Sequence, residues 1–383
     1  MSGLYIHIPF CVRKCLYCDF YSLETMKGPI SGRLKAEPED QNQFLDSLES
    51  EFGSAPPEFR PDTVFMGGGT PTELSLSDLR KLMSMIHRMA DLSGVTEWTC
   101  ESNPGTITRE KAELLRESGV NRISLGVQSF NQRNLDFLGR IHSPGDVESG
   151  FRMLRETGFE NINLDIIYGI PGSTASEVED DIEKIVELGP EHVSCYCLMF
   201  EQGTPLTRML NEGHIRRMAD DDELEQYRMI RKLLHKSGYT HYEISNFSVP
   251  GMECRHNHLY WGDGEYLGFG PSAHSHWQGI RRGNVRSLKK YINALQNGDS
   301  IQEFSERLDP EAKARETLVM WLRRLDGVPR NKFAEHTGYD YRDLCSDQID
   351  YFKENGVLED RDGRLVLTEE GLFVSDAIFS ELL

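Results

Sequence analysis

Long apolar runs are missing from this 383-residue chain, and none approaches the ~20 residues that cross a bilayer as a helix. Basic charge is scarce as well: Lys and Arg number 42 against 62 Asp and Glu, a net charge of -20. That balance argues against a general nucleic-acid binder, which needs basic surface for the phosphates. The plain reading is a solvated acidic surface. The N-terminus has no basic stretch followed by an apolar one, so no secretory leader is visible and a cytoplasmic location is expected. Cysteine is limited to eight residues. In a cytoplasmic chain of this size they are not expected to form disulfides. Clustered cysteines point to metal ligation, and scattered ones to burial as small apolar groups. By that rule Cys100, Cys195, Cys197 and Cys345 belong to the core. No exact internal repeat is present.

What is there begins with enough apolar residues, 38%, for a sizeable core. The length predicts two domains, or one large α/β domain with an appendage. Up to about residue 200, short β-rich runs alternate with amphipathic stretches. The strand candidates are GLYIHIPF, DTVFMGGG, VTEWTCESN, RISLGVQSF, INLDIIYGIP and HVSCYCLMF. Helical patterns such as LSDLRKLMSMIHRMADL, TREKAELLRESG and TASEVEDDIEKIVEL lie between them. Their spacing fits successive βαβ units and a parallel sheet, hence a partial (β/α)6 barrel over residues 1–215. The polar stretch 24–41 reads as a loop insertion. Residues 216–310 read as a helical and irregular extension, and 311–383 as a small helical, winged-helix-like domain. Its hairpin turn falls at Asp362-Gly363. Acidic residues outnumber basic ones there too, so packing or capping is a better reading of it than DNA binding.

The densest chemistry lies in YIHIPFCVRKCLYCDFYS, where Cys11, Cys15 and Cys18 are spaced C-x3-C-x2-C just after the first strand. Thiolates are soft ligands for zinc or iron–sulfur sites. Structural zinc wants four protein ligands, and a fourth would have to come from His7, Asp19 or somewhere distant. A [4Fe–4S] cluster on three cysteines leaves one iron open to a small molecule, and that is the preferred reading. A zinc-binding interaction protein is the bland alternative. Gly67, Gly68 and Gly69 after the second strand permit close backbone approach to a ligand, or simply a tight turn. They lack the Gly-Lys-Ser/Thr of a phosphate loop. Glu101, Gln128 and Asp165 lie near the carboxyl ends of separate apolar strands, the rim where barrel sites form.

The cysteine spacing, with an aromatic before the last cysteine, resembles that of radical S-adenosylmethionine (SAM) proteins. The resemblance implies that the open iron binds the amino and carboxyl groups of SAM. It carries SAM contacts onto Tyr5, Gly67, Gly68, Gly69 and Thr70 of GGGTP, Glu101, Gln128, Arg140 and Asp165, with Tyr17 beside the adenine. The acids suit ribose hydroxyls and Arg140 suits a carboxylate. Over essentially the whole chain, YIHIPFC, GGGTP, ESNPGT, LGVQSF and LDIIYGIPG resemble the oxygen-independent coproporphyrinogen-III oxidase family.

That family has an oxidase branch and a heme-chaperone branch. The oxidases resemble C-x3-C-x2-C-x-C with a long arm ahead of it. Here Phe20 stands at the fourth cysteine position and the motif begins at Tyr5. The chaperones resemble this chain in the short N-terminus and in a His-Asn-x-x-Tyr-Trp segment, here His256 to Trp261. An imidazole can ligate heme iron and Tyr260 and Trp261 can pack on a macrocycle. The same segment could instead pack over the open end of the barrel. Cys254 is a second possible ligand, while His274 and His276 read as structural. The resemblance therefore implies a chaperone that binds a [4Fe–4S] cluster, SAM and heme and delivers heme to apo-hemoproteins. It further implies flavodoxin or ferredoxin as electron donor if SAM is cleaved, a homodimer, and membrane association only through partners. The alternatives are coproporphyrinogen oxidation, started by hydrogen abstraction from a propionate chain, or another radical SAM reaction. No catalytic residue is assigned.

Overall fold

A computed structural model describes residues 1–25 and 35–383 of the chain. In chain order the strands are β1 (Ser2–Ile8), β2 (Phe10–Cys11), β3 (Leu23–Glu24), β4 (Thr63–Gly68), β5 (Glu97–Ser102), β6 (Arg122–Gln128), β7 (Ile162–Tyr168) and β8 (His192–Cys197). Then come β9 (Thr240–Glu243), β10 (Asn246–Ser248), β11 (Glu265–Phe269), β12 (His274–Trp277), β13 (Ile280–Asn284) and β14 (Gln302–Glu306). Short strands β15 (Val328–Pro329), β16 (Leu358–Arg361) and β17 (Arg364–Leu367) lie in the C-terminal part.

The six predicted strands are β1, β4, β5, β6, β7 and β8, paired in parallel in that order. Helices cross over between them: Pro38–Phe52, Leu76–Met89, Arg109–Glu117, the pair Gln132–Leu138 and Pro144–Glu156, and Ala175–Leu188. Local chemistry starts several of these helices. Ser75, Thr108, Ser143 and Thr174 each accept a hydrogen bond from a backbone N–H in the first turn, and Asp146 and Glu177 complete capping boxes. Each cap contributes about 1 kcal/mol. Their apolar faces meet the outward side of the strands in one large core that includes Leu4, Ile6, Val64, Ile86, Leu115, Ile123 and Leu164.

The sheet does not stop at six strands: 216–310, read as a helical and irregular extension, also contributes strands. β11 pairs in parallel with β1, and β12, β13 and β14 continue antiparallel from it. β10 and β9 extend the other edge. The sheet therefore has twelve strands among the described residues. The short, Gly-broken, His-rich strands around GFGPSAHSHW hide the period-two signal that identifies a strand. The stretch 24–41 is corrected at its end: helix Pro38–Phe52 begins inside it, while 26–34 lie outside the described residues.

The C-terminal part has its own core, with Leu318, Leu322, Phe333, Tyr341, Ile349 and Leu365 buried together. Helices Pro310–Leu322, Arg330–Thr337 and Tyr341–Glu354 and the small β15–β17–β16 sheet form the expected winged-helix-like arrangement. Asp362 and Gly363 both have positive φ, 51° and 74°, as a two-residue primed turn requires. The helix leading into the wing carries Asp343, Asp347, Asp350 and Glu354, a surface that repels phosphates.

Glu51 ties the first crossover helix to the added strands. Its buried carboxylate accepts hydrogen bonds from Tyr291 Oη at 2.5 Å, Gly270 N at 2.7 Å and Asn284 Nδ2 at 2.7 Å. Burial outweighs these bonds and pushes its pKa from 4.5 up to about 7. A carboxyl raised on folding stabilises the protein fully below pH 4.5 and loses that contribution as pH rises through about 7. Unfolding stability is expected to fall over this window by up to about 3 kcal/mol, and Glu51→Gln is expected to flatten the fall. Urea titrations from pH 5 to 8 measure both.

Candidate functional site

The loop 12–22 leaves β1 at the carboxyl end of the parallel strands. It is closed at its base by the parallel pair β2–β3, with Phe10 opposite Leu23 and Cys11 opposite Glu24. Leu16 clamps its middle: its N–H donates to Leu138 O at 3.0 Å and its carbonyl accepts from Leu206 N at 3.0 Å. Cys11, Cys15 and Cys18 are all free, half-buried thiols on this loop. Burial, the largest cause, and the neighbouring thiols raise the pKa of Cys11 and of Cys18. Thr70 Oγ1 lies 3.6 Å from Cys11 Sγ, and Arg140 Nη1 lies 3.3 Å from Cys15 Sγ. Among the described residues no set of three His, Cys, Asp or Glu side chains is drawn together as a metal site in this arrangement. The donor set itself, three soft sulfurs with no fourth protein ligand beside them, fits an iron–sulfur cluster with an open iron better than a closed zinc.

Beside the loop the strand ends form a polar rim. Parity along the parallel strands turns Gly67, Glu101, Ser124, Gly126, Asp165 and Ser194 to one face. Glu101 Oε2 accepts from Gly68 N at 3.1 Å, and a Cβ on Gly67 would lie 2.5 Å from the same oxygen, so a side chain there would displace the carboxylate. Asp165 is held by Asn163 Nδ2 at 2.8 Å and Ser124 Oγ at 3.1 Å. Burial, then the charge of Asp165, pushes Glu101 up to about 8, and burial also raises Asp165. Two carboxyls held this close favour a ligand that brings positive charge or hydroxyl donors. Gln128 is buried at φ 70°, an uncommon backbone state for a non-glycine, where the β6–β7 register shifts.

Arg140 is half-buried, donates to Gly126 O at 2.6 Å and to Asn103 Oδ1, and its Nε has no hydrogen-bond partner among the described residues. Asn103 in turn donates to Thr70 Oγ1 at 2.7 Å. The structure thus brings Tyr5, Gly67 to Thr70, Glu101, Gln128, Arg140 and Asp165 to the same side of the sheet as the cysteine loop. Tyr17 packs from the loop onto the small cluster around Leu138 and Ile167. Asn103, His142 and Asn163 were not singled out from the sequence. A polar residue inside ESNPGT was the only available signal for Asn103.

The His256 segment lies elsewhere. Residues Arg255–Trp261 form a helix that packs at the opposite, amino end of the strands. Glu97, at the start of β5, caps it: Oε2 accepts from Arg255 N at 2.9 Å and Oε1 from His256 N at 3.0 Å. His256 is 1% exposed. Its Nδ1 pairs with Thr63 Oγ1 at 2.8 Å and its Nε2 with Tyr260 Oη at 3.0 Å. Burial, then Arg122, lowers its pKa to about 3. Both ring nitrogens of His256, the expected iron ligand, are hydrogen-bonded within the fold, where the ring anchors the segment. Cys254 is fully buried against Glu97 and is closed to heme in the same way.

Tyr260 and Trp261, in contrast, line a cleft of ≈ 650 Å³ between the cysteine loop, β12 to β14 and the C-terminal domain. Arg323 lies 4.3 Å over the Trp261 ring, and the indole N–H has no partner among the described residues. Phe20, 68% exposed, forms part of the same cleft.

Residues 5–185 match the radical SAM superfamily, and residues 308–374 match the HemN C-terminal domain. Three bacterial relatives are each named heme chaperone HemW. The Bacillus subtilis protein is 35% identical over 100% of this chain and 99% of its own length. That of Lactococcus lactis is 35% identical over 100% and 97%, and that of Escherichia coli 33% over 98% and 97%. The chain belongs to the HemW family, within the radical SAM superfamily. Membership of the superfamily implies SAM and a [4Fe–4S] cluster. The same fold is found in the Escherichia coli coproporphyrinogen III oxidase HemN, with TM-score 0.84, 22% identity and coverage of 100% of this chain and 89% of that one.

His256→Ala is expected to destabilise the protein by about 3 kcal/mol, since it opens a cavity and leaves Thr63 and Tyr260 unpaired. Iron retention by the anaerobically reconstituted protein is expected to stay unchanged. Denaturant unfolding and iron analysis of the variant measure the two separately.

Proposed function

We propose that this chain is a heme chaperone that holds a [4Fe–4S] cluster and SAM at the carboxyl end of the parallel strands, receives heme, and passes it to apo-hemoproteins. The observation that carries the reading is the end-to-end match to relatives named as heme chaperones. Phe20 at the oxidase's fourth cysteine position supports it. Cys11, Cys15 and Cys18 would hold the cluster. Arg140, with one donor free, would take the SAM carboxylate, and the backbone of Gly67, Gly68 and Gly69 with Thr70 would border the methionyl group. Glu101 and Asp165 would accept from the ribose hydroxyls, with Gln128 and Tyr5 at the edges and Tyr17 beside the adenine. When bound and reduced, the cluster supplies an electron for SAM cleavage. A flavodoxin or ferredoxin would be the donor if cleavage occurs. A second copy of the chain and membrane-associated hemoproteins are the further partners in this reading. The site of action is the cytoplasm; among the described residues no helix is long and apolar enough to cross a membrane.

The second reading is oxidative decarboxylation of coproporphyrinogen, favoured by the whole-chain fold match to HemN. One experiment separates the two. Protein reconstituted anaerobically is loaded with heme and mixed with an apo-hemoprotein. In parallel it is given coproporphyrinogen, SAM and a reductant. Heme transfer without decarboxylated product is the expected outcome, and product at catalytic turnover overturns it. Cys15→Ser is expected to lose most of the roughly four irons per chain that a [4Fe–4S] cluster contributes, read by iron and sulfide analysis. Glu101→Gln is expected to keep the iron and weaken SAM binding about tenfold, the loss of one charged hydrogen bond, read by equilibrium dialysis.

A further inference from the structure

The cleft beside the cysteine loop holds a histidine in an unusual state. Four histidines bear on this region, and three are used by the fold. His7 pairs with Tyr5 Oη at 3.1 Å and Tyr21 O at 2.8 Å. His276 pairs with Gly264 O at 3.2 Å and Lys313 Nζ at 3.5 Å. His256 is closed on both nitrogens, as described above. His274, on β12, is exposed and lines the cleft, its ring 5.4 Å from that of Phe304. Neither of its nitrogens has a hydrogen-bond partner among the described residues.

The surroundings are those of a flat, amphiphilic ligand. The ≈ 650 Å³ volume lies within the usual range for small-molecule sites. Phe20, Tyr260, Trp261 and Tyr266 give it aromatic walls. Arg286 stands at its edge, linked to Asp19 through the backbone carbonyl at 3.0 Å and the carboxylate at 3.6 Å. Both of those side chains are about half exposed, so the guanidinium can exchange Asp19 for a ligand carboxylate at little cost.

Building on the chaperone reading, we propose that the cargo heme lies in this cleft, with His274 as the iron ligand and Arg286 facing a propionate. Phe20 then has a function of its own: where the oxidase branch carries a fourth cysteine, this chain puts an aromatic against the macrocycle. Partial covering of the ring within the cleft, with Arg281 and Arg286 nearby, lowers the His274 pKa, which favours the neutral imidazole that binds iron.

The test is an anaerobic titration of the full, cluster-reconstituted chain with ferric heme and, separately, with iron-free protoporphyrin. Wild type and His274→Ala are compared, with Arg286→Gln as a second variant. The expected result is saturable binding of one heme per chain. His274→Ala is expected to shift the Soret band, weaken heme binding about tenfold or more, and leave iron-free protoporphyrin binding unchanged. Added imidazole is expected to restore the band. Arg286→Gln is expected to weaken both porphyrins alike. Saturable heme binding by the wild type with an unaltered band and affinity in His274→Ala overturns the assignment and leaves the chaperone reading standing. Absence of saturable heme binding by the wild type overturns the chaperone reading and the assignment together.

Discussion

A parallel strand turns alternate side chains to opposite faces, and in this protein the inner ones are polar. In the strand register Arg122 pairs with Thr99, Glu101, Ser124, Asn163 and His192 share the next level, and Asp165 and Ser194 the one after. Such groups can be buried only when hydrogen-bonded or paired. At the amino end of the strands much of the demand is met inside the protein, although the buried Arg122 Nε has no hydrogen-bond partner among the described residues. His192 bridges Asn163 at 2.6 Å and Tyr242 at 2.8 Å, and Glu97 accepts from the first turn of the helix Arg255–Trp261. At the carboxyl end it is met only in part. Glu101 and Asp165 both have raised pKa values, and Arg140 keeps an unpaired Nε. The carboxyl end, where these groups stand beside the cysteine loop, is where a ligand can meet them.

The cysteine loop is built onto the open end by backbone and side-chain contacts together. β2–β3 closes its base, and Leu16 fastens it to residues of two neighbouring helical segments. The thiols are therefore held on one rim with Thr70, Arg140 and the acidic pair. The same loop ends in Asp19 and Phe20, which form one wall of the cleft formed with β12 to β14. The C-terminal domain forms another part of that cleft through Glu316 and Met320. It is fixed there by the linked ions Lys313, Asp263, Glu316 and Arg281. Cluster loop, cleft and C-terminal domain are one connected surface.

The His256 segment shows where sequence reasoning reached its limit. Histidine among aromatics has the right chemistry for heme, and the motif resemblance pointed the same way. Tyr260 and Trp261 do face the cleft. Three residues hold His256 in place: Gly3 makes room for the ring, and Thr63 and Tyr260 occupy its nitrogens. Two of them, Gly3 and Thr63, are distant in sequence and come from strand starts that carry no functional signal of their own. His274, in a run that read as structural, keeps both nitrogens open because β12 is short and lies toward the outer edge of the sheet.

The amino-acid sequence by itself determined the six parallel strands, their crossover helices, the cysteine loop and the primed hairpin turn at Asp362-Gly363. Each of these depends on local rules: apolar periodicity, helix capping, ligand spacing, and the positive φ that Asp and Gly accept. Tertiary structure alone decided that β11 joins β1 and carries three more strands with it. It decided that Glu97 caps a helix 158 residues away, and which histidines remain free. The reason is physical. Pairing partners, burial and the occupancy of a ring nitrogen depend on contacts between distant segments, and no local pattern in the chain encodes them.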